Sequence, residues 1–225
     1  LPLIPIPYLS HPAGVKAGDG FLVPSLRLSR NNGLEVEVPY YWRLAPNRDI
    51  TASVTAFTAA APMLKGTFRT LENKGAFEAT VYGTYSERVA PLTGASDNVF
   101  RGYVEAAGKF QLDPNWSISS SLRVASDRTF LRRYDISRDD RLRPAFTAER
   151  IHDRSYFSLS GWAVHTLRVG DRQGLTPIAL PEIDYRLRLD DLRVNQHARL
   201  FRVEVVFPEI ECVLVFLLRA QEGHA

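Results

Sequence analysis

The chain has 225 residues, 45% of them apolar and 24% charged, with a formal net charge of +3. That length admits one large domain or two small ones. No run approaches the roughly 18 consecutive apolar residues of a spanning helix, which leaves strands or the surface as routes to a membrane. Lys and Arg are scattered without forming a tract, which argues against nucleic acid as a partner.

The opening run Leu1-Pro2-Leu3-Ile4-Pro5-Ile6-Pro7 reads as the middle of a protein, and no basic n-region or cleavable apolar segment accompanies it. From Gly20 onward, alternating segments of about ten residues follow one another, each closed by a turn signal. The first hairpin spans Gly20 to Asp49 around Asn31-Asn32-Gly33, and each of its strands carries a proline, Pro24 and Pro39. Proline has no amide hydrogen for a ladder, so two of them in neighbouring strands predict weakened pairing there. Leu34, Val36, Val38, Tyr40 and Trp42 share one face, and Glu35, Glu37, Pro39 and Tyr41 the other.

Ile50 to Ala60, Leu64 to Leu71 and Ala76 to Tyr85 are further β-rich stretches, with turns at Pro46 to Asp49 and at Asn73-Lys74-Gly75. Phe100 to Leu112 alternates cleanly: Phe100, Val104, Ala106 and Phe110 point one way, and Arg101, Glu105 and Lys109 the other. Trp116 to Val124, Leu142 to Arg150 and Tyr156 to Thr166 follow, and then Ile183, Tyr185, Leu187 and Leu189 alternate with Glu182, Asp184, Arg186 and Arg188. Longer loops fall near Arg88 to Asn98, Ser126 to Asp140 and Arg168 to Leu175.

Short and long connections largely alternate, and Tyr40, Trp42, Phe110 and Trp116 lie at strand ends where an interfacial aromatic girdle would sit. A soluble sandwich or lipocalin-like barrel also alternates. Segments of about ten to thirteen residues exceed the common five or six of soluble sheets and suit a tilted bilayer crossing. The expected fold is therefore all-β: an antiparallel up-and-down meander of about ten strands, part of a larger transmembrane β-barrel. Such a piece leaves two bare edges, which hydrocarbon does not tolerate.

No enzyme is expected. The five histidines, His11, His152, His165, His197 and His224, have no metal-binding spacing, the only cysteine is Cys212, and no Gly-x-Ser-x-Gly elbow or phosphate-binding glycine loop is present. Neither metal nor cofactor is predicted. Glu35, Glu37, Tyr41, Arg101, Glu105, Lys109, Arg186 and Arg188 instead form a charged, inward-facing set, suited to a hydrated lumen that accommodates a polar phosphorylated saccharide. The plainer reading of each is a generic polar barrel interior.

Pro39-Tyr40-Tyr41-Trp42 followed by Leu44-Ala45-Pro46-Asn47-Arg48-Asp49 resembles the PYYW-x-x-APN-x-D signature of the LptD family of lipopolysaccharide-assembly proteins. Ile6-Pro7-Tyr8-Leu9, Gly20-Phe21-Leu22-Val23-Pro24, Gly66-Thr67-Phe68-Arg69 and Ala125-Ser126-Asp127 match the same family in the same order. The resemblance runs from about Leu1 to Asp191. It implies that residues 1–17 end a periplasmic β-jellyroll, that 18–191 are the first strands of an outer-membrane barrel, and that Pro24 and Pro39 mark a lateral gate. Tyr40, Tyr41, Trp42, Pro46, Asn47 and Asp49 carry the motif.

The implied function is transport of lipopolysaccharide across the Gram-negative outer membrane and its assembly into the outer leaflet, with sideways exit of the acyl chains into membrane lipid. The implied partners are an LptE-like lipoprotein plug and an LptA-like periplasmic bridge reached through the jellyroll. Another outer-membrane barrel, a porin or a ligand-gated importer, shares the alternation but has no reason for the paired prolines. Residues 192–225 lack turn signals between Arg199 and Glu222, resemble nothing in the family, and are expected to be a divergent tail lying apart from the meander, with a reading-frame shift or an incomplete gene end preferred to a genuine divergent strand.

Overall fold

The computed structural model describes residues 18–89, 93–94, 96–168, 170–171, 175–189, 199–205 and 217–221, with the backbone alone for the last two stretches and for Leu180, Arg188 and Leu189. The strands are β1 (Gly20–Phe21), β2 (Ser25–Ser29), β3 (Gly33–Ala45), β4 (Arg48–Phe57), β5 (Met63–Glu72), β6 (Gly75–Val89), β7 (Ser96–Gln111) and β8 (Trp116–Ala125). A single helical turn, α1 (Phe130–Arg133), precedes β9 (Arg141–Leu142), β10 (Ala145–His152), β11 (Ser155–Ala163), β12 (His165–Thr166) and β13 (Ile178–Leu189). Two further strands are β14 (Arg199–Val205) and β15 (Leu217–Gln221). Thirteen of these form one sheet in which chain neighbours pair, while β9 and β12 make a separate ribbon. Among the described residues all its pairings are antiparallel, no strand crosses over, and the sheet is open, its first and last strands unpaired with each other. The expected up-and-down meander is thus the observed fold.

Alternation sets the two faces. One cross-strand row reads Tyr40, Ala52, Gly66, Val81, Val104, Val124. The row one residue over reads Tyr41, Thr51, Thr67, Thr80, Glu105, Arg123. Directly opposed residues share a face, so the sheet has one apolar and one polar side across its breadth. The apolar side carries large exposed groups, Phe100 being 72% accessible, along with Leu64, Val81 and Leu122. Tyr40, Trp42, Phe68, Phe77, Phe110 and Trp116 occupy its rim beside the short turns, with ring contacts between Tyr40 and Trp42 at 4.5 Å and Phe68 and Phe77 at 6.3 Å. β3, β6 and β7 have 13, 15 and 16 residues, beyond the roughly 9–11 that a tilted crossing needs. No helix among the described residues is long and apolar enough to cross a membrane, which says nothing of crossing by strands.

The buried core is small and lies on the polar side. There the β8–β10 connection turns inward, and Phe130, Leu131 and Tyr134 pack with Leu142 and Leu167 against Met63, Tyr103 and Ala125 of the sheet. Burying such a side chain contributes about 1.5–3 kcal/mol.

Four expectations need correction. The first strand is broken at Pro24 into β1 and β2. The stretches Leu142 to Arg150 and Tyr156 to Thr166 are each divided, because the chain leaves the main sheet before Pro144 and after Ala163 and pairs there as the β9–β12 ribbon. Arg48 and Asp49 belong to β4, leaving only Pro46 and Asn47 in the turn. The backbone of β14 and β15 extends the meander beyond β13, where a tail lying apart was expected.

Candidate functional site

The two prolines meet at one irregularity. Gly20 and Phe21 pair with Tyr41 and Tyr40, whereas Ser25 pairs with Glu37. Leu22, Val23 and Pro24 therefore oppose only Val38 and Pro39, which is a β-bulge. The Leu22 amide donates to the Pro39 carbonyl at 2.9 Å. In an antiparallel strand the N and C=O of one residue point to the same edge, so the Pro39 nitrogen also faces the first strand and has no hydrogen to return. The β3–β4 ladder loses nothing, since Pro39 opposes Ser53 there with its polar groups turned away. The first strand is left in two separately held halves. Below the bulge, the Phe21 ring meets Tyr40 edge-on at 5.0 Å and the Arg43 amide donates to Asp19 at 2.6 Å. Above it, Arg27 Nε donates to Glu35 Oε2 at 2.6 Å.

The motif residues lock the neighbouring turn. Asn47 Nδ2 donates to the Leu71 carbonyl at 2.9 Å, and the Asn47 carbonyl accepts from the Leu71 amide at 2.9 Å. Asp49 accepts from Arg69 Nε at 2.9 Å. The β3–β4 turn is thereby stitched to the far end of β5. Tyr40 and Trp42 sit in the aromatic rim, while Tyr41 faces the polar side.

Of the charged set, Glu35, Glu37, Arg101, Glu105, Lys109 and Arg186 lie on the polar side, but in different surroundings. Glu37 lies 3.5 Å from Lys65, and Glu105 accepts from the Tyr103 hydroxyl at 3.1 Å and lies 3.7 Å from Arg123. Arg186 stacks its guanidinium 5.3 Å above the Tyr156 ring. Lys109, with Asp49, Arg69 and Glu78, lines a recess of about 500 Å³ at the short-turn end. The Arg188 side chain lies outside the described residues, as do residues 1–17.

Arg101, by contrast, is only 3% exposed and holds the inturned loop. Its guanidinium donates to both Asp127 carboxylate oxygens at 2.8 Å, to Thr129 Oγ1 at 2.8 Å and to the Glu87 carbonyl at 3.1 Å. Glu35 is likewise covered, accepting from Arg27 and from the buried Asn32. These two are fasteners of the fold more than lining of an open lumen. The loop residues Asp127, Phe130 and Arg133 were missed as site candidates because only Phe130-Leu131 and Tyr134 hint at a packed turn within a stretch that otherwise reads as loop.

Burial pushes the Asp127 carboxyl up, but the hydrogen bonds and charge of Arg101 and the bonds from Thr129 outweigh this and hold it below the usual range. A carboxylate with a lowered folded value stabilises fully above its unfolded value of about 4, and this stabilisation fades as pH falls through the lowered folded value. Protease cutting within 126–140 should therefore rise only below about pH 4, and Asp127→Asn should remove that acid step. An identical acid step in the variant would assign it to another group. No cluster of three or more metal-ligating side chains occurs among the described residues.

Residues 99–201 match the family described as LptD, LPS transport system D. The chain is 46% identical over 86 residues to the LPS-assembly protein LptD of Psychrobacter arcticus, covering 38% of this chain and 9% of that protein. It is 26% identical over 198 residues to the protein of the same name from Shewanella frigidimarina, covering 85% of this chain and 25% of the relative. The Shewanella oneidensis protein is 28% identical over 200 residues, again with 25% of its length matched. The chain thus spans at most about a quarter of these relatives.

Proposed function

We propose that this chain, similar to LptD over residues 99–201 and to relatives of that name over most of its length, forms the first strands of an outer-membrane barrel that assembles lipopolysaccharide into the outer leaflet, with a lateral exit at the first strand. The single observation that carries this reading is the bulge at Pro24 and Pro39, where the ladder to the edge strand is interrupted and Pro39 turns toward that strand a nitrogen with no hydrogen to give. The sheet's faces support the membrane setting: an apolar side with an aromatic rim fits lipid, and a polar side fits a hydrated interior.

Lipopolysaccharide poses a problem of transfer. Its sugars need water and its acyl chains need hydrocarbon, at about 0.8 kcal/mol per CH₂ moved between them. A wall that parts at one weakly paired strand lets sugars cross the polar interior while acyl chains leave sideways. No bond is made or broken in this scheme. The uncovered recess beside Asp49, Arg69 and Lys109 offers polar contacts to an LptE-like plug entering from the short-turn end. An LptA-like bridge rests on the family's jellyroll alone, since residues 1–17 lie outside the described structure.

The test uses the complete outer-membrane protein containing this segment. A disulfide between the first strand and the barrel's last is expected to stop lipopolysaccharide reaching the cell surface, with recovery on reduction. Pro39→Ala restores one donor, is expected to tighten the seam by about 0.5–1.5 kcal/mol, and should slow export without abolishing it. Normal surface delivery through the cross-linked barrel would end the lateral-exit reading.

A further inference from the structure

The inturned loop does more than fill space against the sheet. Arg133, at the end of α1, donates from one terminal nitrogen to the Asn31 carbonyl at 2.9 Å and to Asn32 Oδ1 at 2.5 Å, and from the other to the Ala59 carbonyl at 2.8 Å. Asn32 is fully buried in the β2–β3 turn and passes the contact on, its Nδ2 donating to Glu35 Oε1 at 3.1 Å. Glu35 Oε2 accepts from Arg27 of the edge strand at 2.6 Å. Arg27 in turn lies 3.8 Å from Asp135, two residues beyond Arg133. The contacts close a ring that runs from the loop through the turn to the first strand and back. Asp135 completes it from a left-handed backbone, φ 54°, a conformation that Asp tolerates better than most side chains.

Every member of this ring lies above the bulge. Below it, β1 is held by Phe21 on Tyr40 and by Asp19 on Arg43, with no contact to the loop among the described residues. We propose that the inturned loop is a latch on the upper half of the first strand: while Arg133 is seated, Ser25–Ser29 stays paired with β3, and when it leaves, that half frees itself about the Pro24 bulge while Gly20–Phe21 stays in place. The physical basis is that an edge strand has one ladder, not two, so its fixed side-chain ties decide how often it opens. The planar guanidinium serves three acceptors on two connections at once, which a point-charge ammonium does not do as well. As a regulator of the exit the latch rests on the lateral-exit reading; as a hold on the strand it does not.

The experiment measures hydrogen–deuterium exchange in the complete outer-membrane protein containing this segment, purified in detergent micelles. Arg133→Met should speed exchange over Ser25–Ser29 by about tenfold, the loss of roughly 1.4 kcal/mol, and leave Gly20–Phe21 and the β6–β7 ladder unchanged. Arg133→Lys should fall between. Arg27→Gln cuts the ring on the strand itself, at Glu35 and Asp135, leaves Arg133 and its acceptors unchanged, and should reproduce the selective effect if Arg133→Met does not fold. Unaltered exchange over Ser25–Ser29 in a folded variant, or equal acceleration over the whole sheet, overturns the latch. Normal export through a cross-linked seam would instead sink lateral exit and leave the exchange difference standing.

Discussion

Replacing Arg101 by methionine should cost about 3–5 kcal/mol, the range for breaking a buried ion pair by removing one partner. Arg101 is 3% exposed, and the Asp127 carboxylate that it grips is 10% exposed. Deleting the cation leaves that carboxylate buried with only the neutral donors of Thr129 and Ser126. The effect should spread, because the inturned loop is tied to several other parts of its end of the sheet. Arg133 reaches the β2–β3 turn and the β4–β5 connection, Arg101 joins the loop to Glu87 at the end of β6, and Arg128 donates to the Arg168 and Asp171 carbonyls beyond β12. Asp140 takes both Arg132 and Arg168. Denaturant unfolding of the complete barrel would measure the loss. Asp127→Asn with Arg101→Met should recover part of it, since the orphaned charge is then gone. A single variant of unchanged stability would show that solvent replaces the pair.

The strands were legible because their signal is local. Period-two alternation in Leu34 to Trp42 and Phe100 to Leu112 fixes which side chains share a face, and the register then carries that choice from strand to strand. Asn73-Lys74-Gly75 likewise announces its turn within a few residues. What could not be read depends on partners distant in the chain. Pro24 and Pro39 were each visible, but their meeting at one bulge is a matter of register. Alternation placed Arg101 on the polar side, yet only the return of the chain at Asp127, 26 residues later, makes it an anchor. Arg133 joins Asn31 across 102 residues, and nothing near either one signals it. The tail misled for a different reason: turn residues mark connections, and their scarcity after Asp191 said nothing about whether Arg199–Val205 could pair with β13.

The largest difference between setting this sheet in lipid and setting it in water concerns its apolar side. Val81 lies near the middle of β6, half exposed, in the row of Gly66, Val104 and Val124. On a water-facing sheet, Val81→Arg is a surface change within about ±0.5 kcal/mol. Facing the bilayer midplane, an arginine costs about 2–4 kcal/mol. Thr80→Arg is the matched control, one residue away on the polar side and opposite Glu105, where a cation gains a partner. Equilibrium unfolding of the complete barrel in phospholipid vesicles should therefore show a large loss for Val81→Arg and little for Thr80→Arg. Equal stabilities would mean that the apolar side is covered by something other than lipid. The faces assigned by alternation would then stand, but the outer-membrane setting would fall, and lateral exit with it, because a seam in a wall that does not border hydrocarbon gives acyl chains nowhere to go.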